Sequence, residues 1–186
     1  TNTVNLANQA INANDSVNTT DINGIISDSS DTTGLQLGSG KINVTVNSAP
    51  ANNSTAVIGI NLAKSGSSSH HLGTGSSIDV TGDYYAYGVK ADNNVNVSGS
   101  NLTINVHGGN STDGILGGLN SVLNLGVDSV ISTSSPAGTV TSITVGAAGS
   151  LIAANLQITT EALSFTHLTL PTILRVYCLL CVSYSN

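Results

Sequence analysis

Aliphatic residues recur at every second position over most of the 186-residue chain, and each alternating run closes at Gly, Asn, Ser or Asp. The clearest runs are KINVTV (41–46), SSIDVTG (76–82), NVNVSG (94–99), LTINVHG (102–108), SVLNLGV (121–127) and TSITVG (141–146). Successive side chains on an extended strand point to opposite faces, so Ile42, Val44 and Val46 share one face and Asn43 and Thr45 the other. Ile104-Asn105-Val106 and Leu123-Asn124-Leu125 repeat this in–out–in order. No window carries a 3.6-residue apolar stripe between caps, and almost no helix is predicted.

A longer repeat overlies the alternation. Gly precedes an aliphatic residue at Gly24-Ile25, Gly59-Ile60, Gly88-Val89 and Gly114-Ile115. Each pair is followed by an aliphatic–Asn/Asp–aliphatic strand, at Ile42-Asn43-Val44, Ile78-Asp79-Val80, Ile104-Asn105-Val106 and Leu123-Asn124-Leu125. The separations are 18, 19, 16 and 9 residues, so the fourth unit reads as compressed. Degenerate repeats of this length point to stacked supersecondary units. Here each unit is strand and turn only, which predicts a coil of a single-stranded parallel β-helix, a β-solenoid. A sandwich core is commonly filled with aromatic rings, whereas residues 1–163 contain only Tyr84, Tyr85 and Tyr87. At roughly 20–25 residues per coil, this stretch predicts about seven coils. Residues 1–20 read as an irregular or capping segment, 21–163 as the β-helix, and 164–186 as a separate tail.

Composition narrows the class. Charged residues make up 8% and aromatic residues 3%, against roughly 25% charged in average soluble domains. Three lysines (Lys41, Lys64 and Lys90) face ten acids before residue 164, and no basic cluster forms. That excludes the electrostatic footprint of nucleic-acid binding. The surface is expected to be polar through amides and hydroxyls. Residues 1–163 contain no cysteine, hence no disulfide framework and no thiolate chemistry. The chain begins at Thr1 without a charged-then-apolar leader, and the expectation is that a leader was removed or the start is missing.

The tail differs from everything before it. Residues 164–186 hold both cysteines, the single Arg and the single Phe. Thr166–Thr172, THLTLPT, resembles the translated read-through of a sequencing adapter, so 164–186 is expected to be an artefactual segment, disordered or loosely packed. Its apolar run from Leu168 to Val182 is interrupted by Pro171 and Arg175 and falls short of the roughly 20 residues of a membrane span. Cys178 and Cys181 have C-x-x-C spacing but no βαβ context that would favour a redox role.

Candidate chemistry is sparse. Tyr84, Tyr85 and Tyr87 are the aromatic cluster: on an outward face they could stack on a ligand such as a sugar, whereas Tyr85 and Tyr87 on the inward face with Val89 would fill a wide coil. His70-His71 lies in a Ser/Gly stretch and is expected in a solvated loop, its two rings pointing apart. Gly108-Gly109-Asn110-Ser111-Thr112-Asp113-Gly114-Ile115 is similar to a calcium-binding nonapeptide. It lacks the third Gly and a second copy, and one turn cannot supply the 6–8 oxygens calcium takes. A polar turn is the better account. Asp79, Asp83, Asp92 and Asp113 are not accompanied by Arg, and no Gly-x-Ser-x-Gly elbow occurs. No catalytic, metal or cofactor residue is assigned, and loops 65–77 and 107–114 are the expected partner contacts.

With its Asn/Ser/Thr/Gly background, its missing cysteine, and stretches such as AYGVKADNNVNVSGSNLTINV (86–106), the chain resembles the passenger region of a bacterial autotransporter of the pertactin and AIDA-like adhesin kind. The resemblance implies a right-handed parallel β-helix, export to the surface of a Gram-negative bacterium, and anchoring by a C-terminal β-barrel translocator not present in this sequence. It implies a non-catalytic adhesin or stalk with a host-cell or glycan receptor as partner. A polysaccharide lyase or hydrolase on the same scaffold, and a phage or surface-layer solenoid, are the alternatives.

Overall fold

The computed structural model describes residues 9–15, 22–27, 34–37, 40–48, 56–62, 67–162 and 181–182. Among these there is no helix; the strands are β1 (Gln9–Asp15), β2 (Ile22–Ile26), β3 (Ile42–Ser48), β4 (Ala56–Leu62), β5 (Ser68–Thr74), β6 (Ser77–Gly82), β7 (Tyr85–Ala91) and β8 (Val95–Ser100). They continue as β9 (Thr103–Gly108), β10 (Ser111–Gly117), β11 (Val122–Val127), β12 (Val130–Ser135), β13 (Thr139–Val145), β14 (Ser150–Ala154), β15 (Gln157–Ala162) and β16 (Cys181–Val182). The strands form three parallel sheets. Sheet A runs β1-β3-β6-β9-β12-β15-β16, sheet B β2-β4-β7-β10-β13, and sheet C β5-β8-β11-β14. Each turn gives one strand to each sheet, in the order B, C, A. The protein is therefore a three-sided β-solenoid with about four complete turns, β4 to β15.

A turn is longer than the repeat suggested, and there are fewer of them. Stacked partners such as His107 and Ser134 are 27 residues apart, and Asn94 and Asn120 are 26 apart. The reason is that each turn carries three strands and three corners.

Like stacks on like inside. One column of sheet A runs Ile11, Val44, Ile78, Ile104, Ile131, Ile158; its neighbour runs Ala13, Val46, Val80, Val106, Thr133, Thr160. At about 4.8 Å per turn these aliphatic side chains fill a narrow interior without aromatic rings. The Gly-aliphatic pairs turn out to be one column of sheet B: Gly24, Gly59, Gly88 and Gly114. A Cβ on Gly59 would meet Ile78 Cγ2 at 2.5 Å, and one on Gly88 would meet Ile104 Cγ2 at 2.6 Å. Their φ angles are not left-handed, so space rather than backbone freedom requires glycine. Gly114 faces Ile131 and Thr133, not Leu123, which belongs to sheet C. The fourth unit is thus not compressed, and its sheet A strand is β12, whose VISTSS lacks the Asn/Asp signature. Ser142 takes the fifth place in the column. There the facing valines are replaced by threonine, and the Ser142 hydroxyl hydrogen-bonds Thr133 Oγ1 at 2.8 Å and Thr160 Oγ1 at 2.9 Å.

The corners need left-handed backbone, and Asn, Asp or Gly supplies most of it. Gly75, Asn101, Asp128 and Asn155 stack between sheets C and A with φ of 76°, 50°, 56° and 53°. Asn94, Asn120 and Ala148 occupy the corner between B and C with φ of 62°, 56° and 58°. Just inside the first corner, Ser76 and Ser129 are buried. Ser129 Oγ accepts the Leu102 N–H at 3.1 Å and donates to the Leu125 carbonyl at 2.8 Å.

His70-His71 lies in strand β5, not in a loop. The two rings do point apart. His70 is 2% exposed, accepts the Leu35 N–H on Nδ1 at 3.0 Å, and pairs Nε2 with Ser68 Oγ at 3.0 Å. His71 faces outward and bonds Ser98 at 3.0 Å. Most of the two stretches expected as contact loops, 65–77 and 107–114, is likewise strand, as β5 and the first half of β10. Gly109-Asn110 is the turn between β9 and β10. Of the tail, Cys181 and Val182 pair with Gln157 and Ile158; Cys178 and the THLTLPT segment lie outside the described residues.

Candidate functional site

The aromatic cluster sits on the outer face of sheet B. In β7 the residues alternate, so Ala86 is buried in the core while Tyr85 and Tyr87 face away from it. The reading in which these rings fill a wide coil is therefore overturned, and its reason is visible in the Gly88 column. Sheets A and B approach too closely there to admit a ring. Tyr84, at the preceding corner, meets Tyr85 edge-to-face, with centroids 4.5 Å apart and planes at 85°. The Tyr84 hydroxyl, hydrogen-bonded to that of Tyr85, raises the Tyr85 phenol above its ordinary 10.0.

Two further groups that the sequence reading did not assign lie on this face, Asp113 brought by the parallel register and Lys90 from β7 itself. Tyr87 stands beside Asp113 of β10 and Ile58 of β4. Lys90, in the next outward column, holds its Nζ 6.0 Å from the centre of the Tyr87 ring, within cation–π range. Asp113 is half-buried, and burial pushes its carboxyl up from 3.8 to about 6, against the hydrogen bond from Thr144 that lowers it. Asn61, paired in register with Lys90, donates from Nδ2 to Asn23 at 3.1 Å, while its buried Oδ1 has no hydrogen-bond partner among the described residues. The patch thus combines half-buried, outward-facing tyrosine rings, one ammonium and one carboxyl pushed up to about 6. It can stack on a flat apolar face and accept or donate hydrogen bonds at its margin. The only sequence signal for Asp113 would have been the 26-residue offset that aligns β7 with β10; for Lys90 it was proximity to Tyr87 within one strand.

The outer face of sheet A differs. Asp79, Asn105 and Ser132 form one column and Thr81, His107 and Ser134 a second, around a shallow depression of about 180 Å³. Among the described residues no three His, Cys, Asp or Glu side chains converge as a metal site would require, and no helix is long and apolar enough to cross a membrane. The fold and these two faces define a three-sided β-solenoid with polar, mostly uncharged outer faces. Comparison with protein-family models, curated proteins and solved structures gives no match to the chain.

Proposed function

We propose that this β-solenoid is part of the passenger region of a bacterial autotransporter, displayed on or secreted from a Gram-negative cell, where it serves as a stalk and adhesive surface without catalysis. The observation that carries the reading is the outward aromatic face. Tyr84, Tyr85 and Tyr87 are presented half-buried on a rigid sheet outside the core, with Tyr87 beside the buried Ile58. A sugar ring of a host-cell or glycan receptor stacks on Tyr85 and Tyr87, with Asp113 and Lys90 fixing its orientation. The amide and hydroxyl ladders elsewhere keep the rod hydrated with few charges. In the intact protein a C-terminal β-barrel translocator anchors it in the outer membrane.

Two measurements test this. The gene downstream of the codon for Leu163 is expected to encode alternating strands of about 9–11 residues with aromatic girdles; a stop codon without them would remove the autotransporter assignment. Replacing Tyr85 and Tyr87 together by Ala is expected to lower adhesion to glycan-coated surfaces about 5- to 10-fold without changing Tm. Unchanged adhesion removes the aromatic face as the contact.

Asp113, half-buried beside Tyr87 with its carboxyl pushed up to about 6 by burial, favours a second reading, a polysaccharide-acting enzyme with Asp113 as acid or base. Release of reducing ends from plant or bacterial polysaccharides, abolished by Asp113→Asn, would establish it in place of the first.

A further inference from the structure

The depression on sheet A is independent of the aromatic face and carries a separate proposal. Three consecutive rungs line it: Asp79 and Thr81 of β6, Asn105 and His107 of β9, Ser132 and Ser134 of β12. Several of these side chains are already held in place. Asp79 Oδ1 accepts from Asn105 Nδ2 at 2.7 Å and Oδ2 accepts from Ser77 Oγ at 2.9 Å; His107 Nδ1 lies 2.9 Å from Ser134 Oγ.

These bonds fix rotamers without exhausting the groups. The carboxylate keeps free lone pairs, the Asn105 amide keeps a second N–H and its carbonyl, His107 keeps its other ring nitrogen, and the hydroxyls of Thr81 and Ser132 add both kinds of partner. Donors and acceptors therefore alternate over rungs about 4.8 Å apart, so the three rungs span about 10 Å along the rod axis. The β-strand backbone beneath uses its own N–H and C=O groups in the ladder, which leaves recognition to these side chains.

A ligand that presents hydroxyl donors and acceptors at repeated intervals matches this array. The charge pattern narrows the class. The strands of sheet A contain no Lys or Arg, whereas Asp79 lines the depression and Glu161 follows Ser134 in the same column. An anionic ligand would meet carboxyl groups with no Lys or Arg in these strands to offset them. We propose that this depression is a binding site for a neutral oligosaccharide whose sugar rings lie along the rod axis across β6, β9 and β12.

The test is a titration of the 15N-labelled protein with lactose, maltose and cellobiose, each compared with 3′-sialyllactose. The expected result is amide shift changes at residues 79–81, 105–107 and 132–134 for at least one neutral disaccharide, with Kd of about 1 mM or tighter. Asn105→Ala is expected to weaken that binding at least about 10-fold, because it removes the N–H and carbonyl offered to the sugar and frees the Asp79 carboxyl that Asn105 holds in place. Ser132→Ala, which removes one half-buried, outward-facing hydroxyl and leaves the core intact, is expected to weaken it several-fold with an unchanged far-UV spectrum. If Asn105→Ala does not fold, the Ser132→Ala result decides. Tyr87→Ala leaves the affinity unchanged, so this proposal and the aromatic-face reading fail separately. Absence of shifts with all three sugars, shifts confined to sheet B, or equal binding of 3′-sialyllactose overturns the proposal.

Discussion

Replacing Gly88 by Ala tests the interior of the rod most directly. The added Cβ would sit 2.5 Å from the Gly114 carbonyl oxygen, 2.6 Å from Ile104 Cγ2 and 3.0 Å from Val106 Cγ2. Two of these neighbours belong to the facing sheet and one to the backbone of the next turn, so no single rotamer change clears the clash. Gly→Ala in an unstrained position stabilises by about 0.4–1 kcal/mol through the unfolded chain, whereas overpacking costs about 1–3 kcal/mol. With rigid backbone on one side the upper end applies, and Gly88→Ala is expected to destabilise by about 2 kcal/mol net. Urea unfolding followed by far-UV CD reads this as a lowered midpoint at unchanged slope. Gly117→Ala is the control: its nearest contacts are 3.3 Å, to a Leu123 methyl and the Thr144 carbonyl, and its cost is expected to stay below about 1 kcal/mol. Ile104→Ala removes one clashing methyl, and combined with Gly88→Ala it should cost less than the two separate losses added together, by about 1 kcal/mol. If Gly88→Ala is no worse than Gly117→Ala, the close approach of sheets A and B is wrong.

Other consequences follow from the corners, the buried hydroxyls and the one perturbed carboxyl. Ala148 holds a left-handed φ of 58° in the column of Asn94 and Asn120, so Ala148→Gly is expected to stabilise by about 1 kcal/mol, seen as a raised Tm; a lowered Tm would contradict the corner geometry. Ser129→Ala removes the acceptor of the Leu102 N–H and is expected to cost about 1–3 kcal/mol by urea unfolding, while a neutral result would mean the site admits another partner. Asp113 has its folded value raised from 3.8 to about 6, so the folded state holds the proton more tightly and the group's contribution is best at low pH. That contribution is lost as pH rises from about 4 through 6, and Asp113→Asn should be more stable than the parent by about 1–3 kcal/mol at pH 8, with no difference below about pH 3.5. Equal stability at both ends would show that Asp113 is not desolvated.

The residues of the aromatic face were legible in the sequence, but their direction was not. Tyr84, Tyr85 and Tyr87 stood out by rarity, and period-two alternation placed Tyr85 and Tyr87 on one side of a strand without saying which. Gly88 settled the side, because the facing Ile104 and Val106 leave no room for a ring. Asp113 joins the rings only through the register between β7 and β10, whereas Lys90 stands in β7 itself, three residues beyond Tyr87. His70 shows the same limit: its Ser/Gly neighbours resemble a loop, yet the stack of Val97 and Leu123 beyond it draws its ring inside.

By itself the sequence determined the all-β class, the parallel winding and the aliphatic interior, because alternation and the spaced Gly-aliphatic pairs are local properties of the chain. It also determined the corners, where Asn and Asp tolerate left-handed backbone that most residues avoid. Only the tertiary structure decided the number of turns, the regularity of the fourth unit and the grouping of side chains into outer faces. Those depend on which residues stack 26 to 35 positions apart, and a sequence with corners of unequal length does not announce that offset.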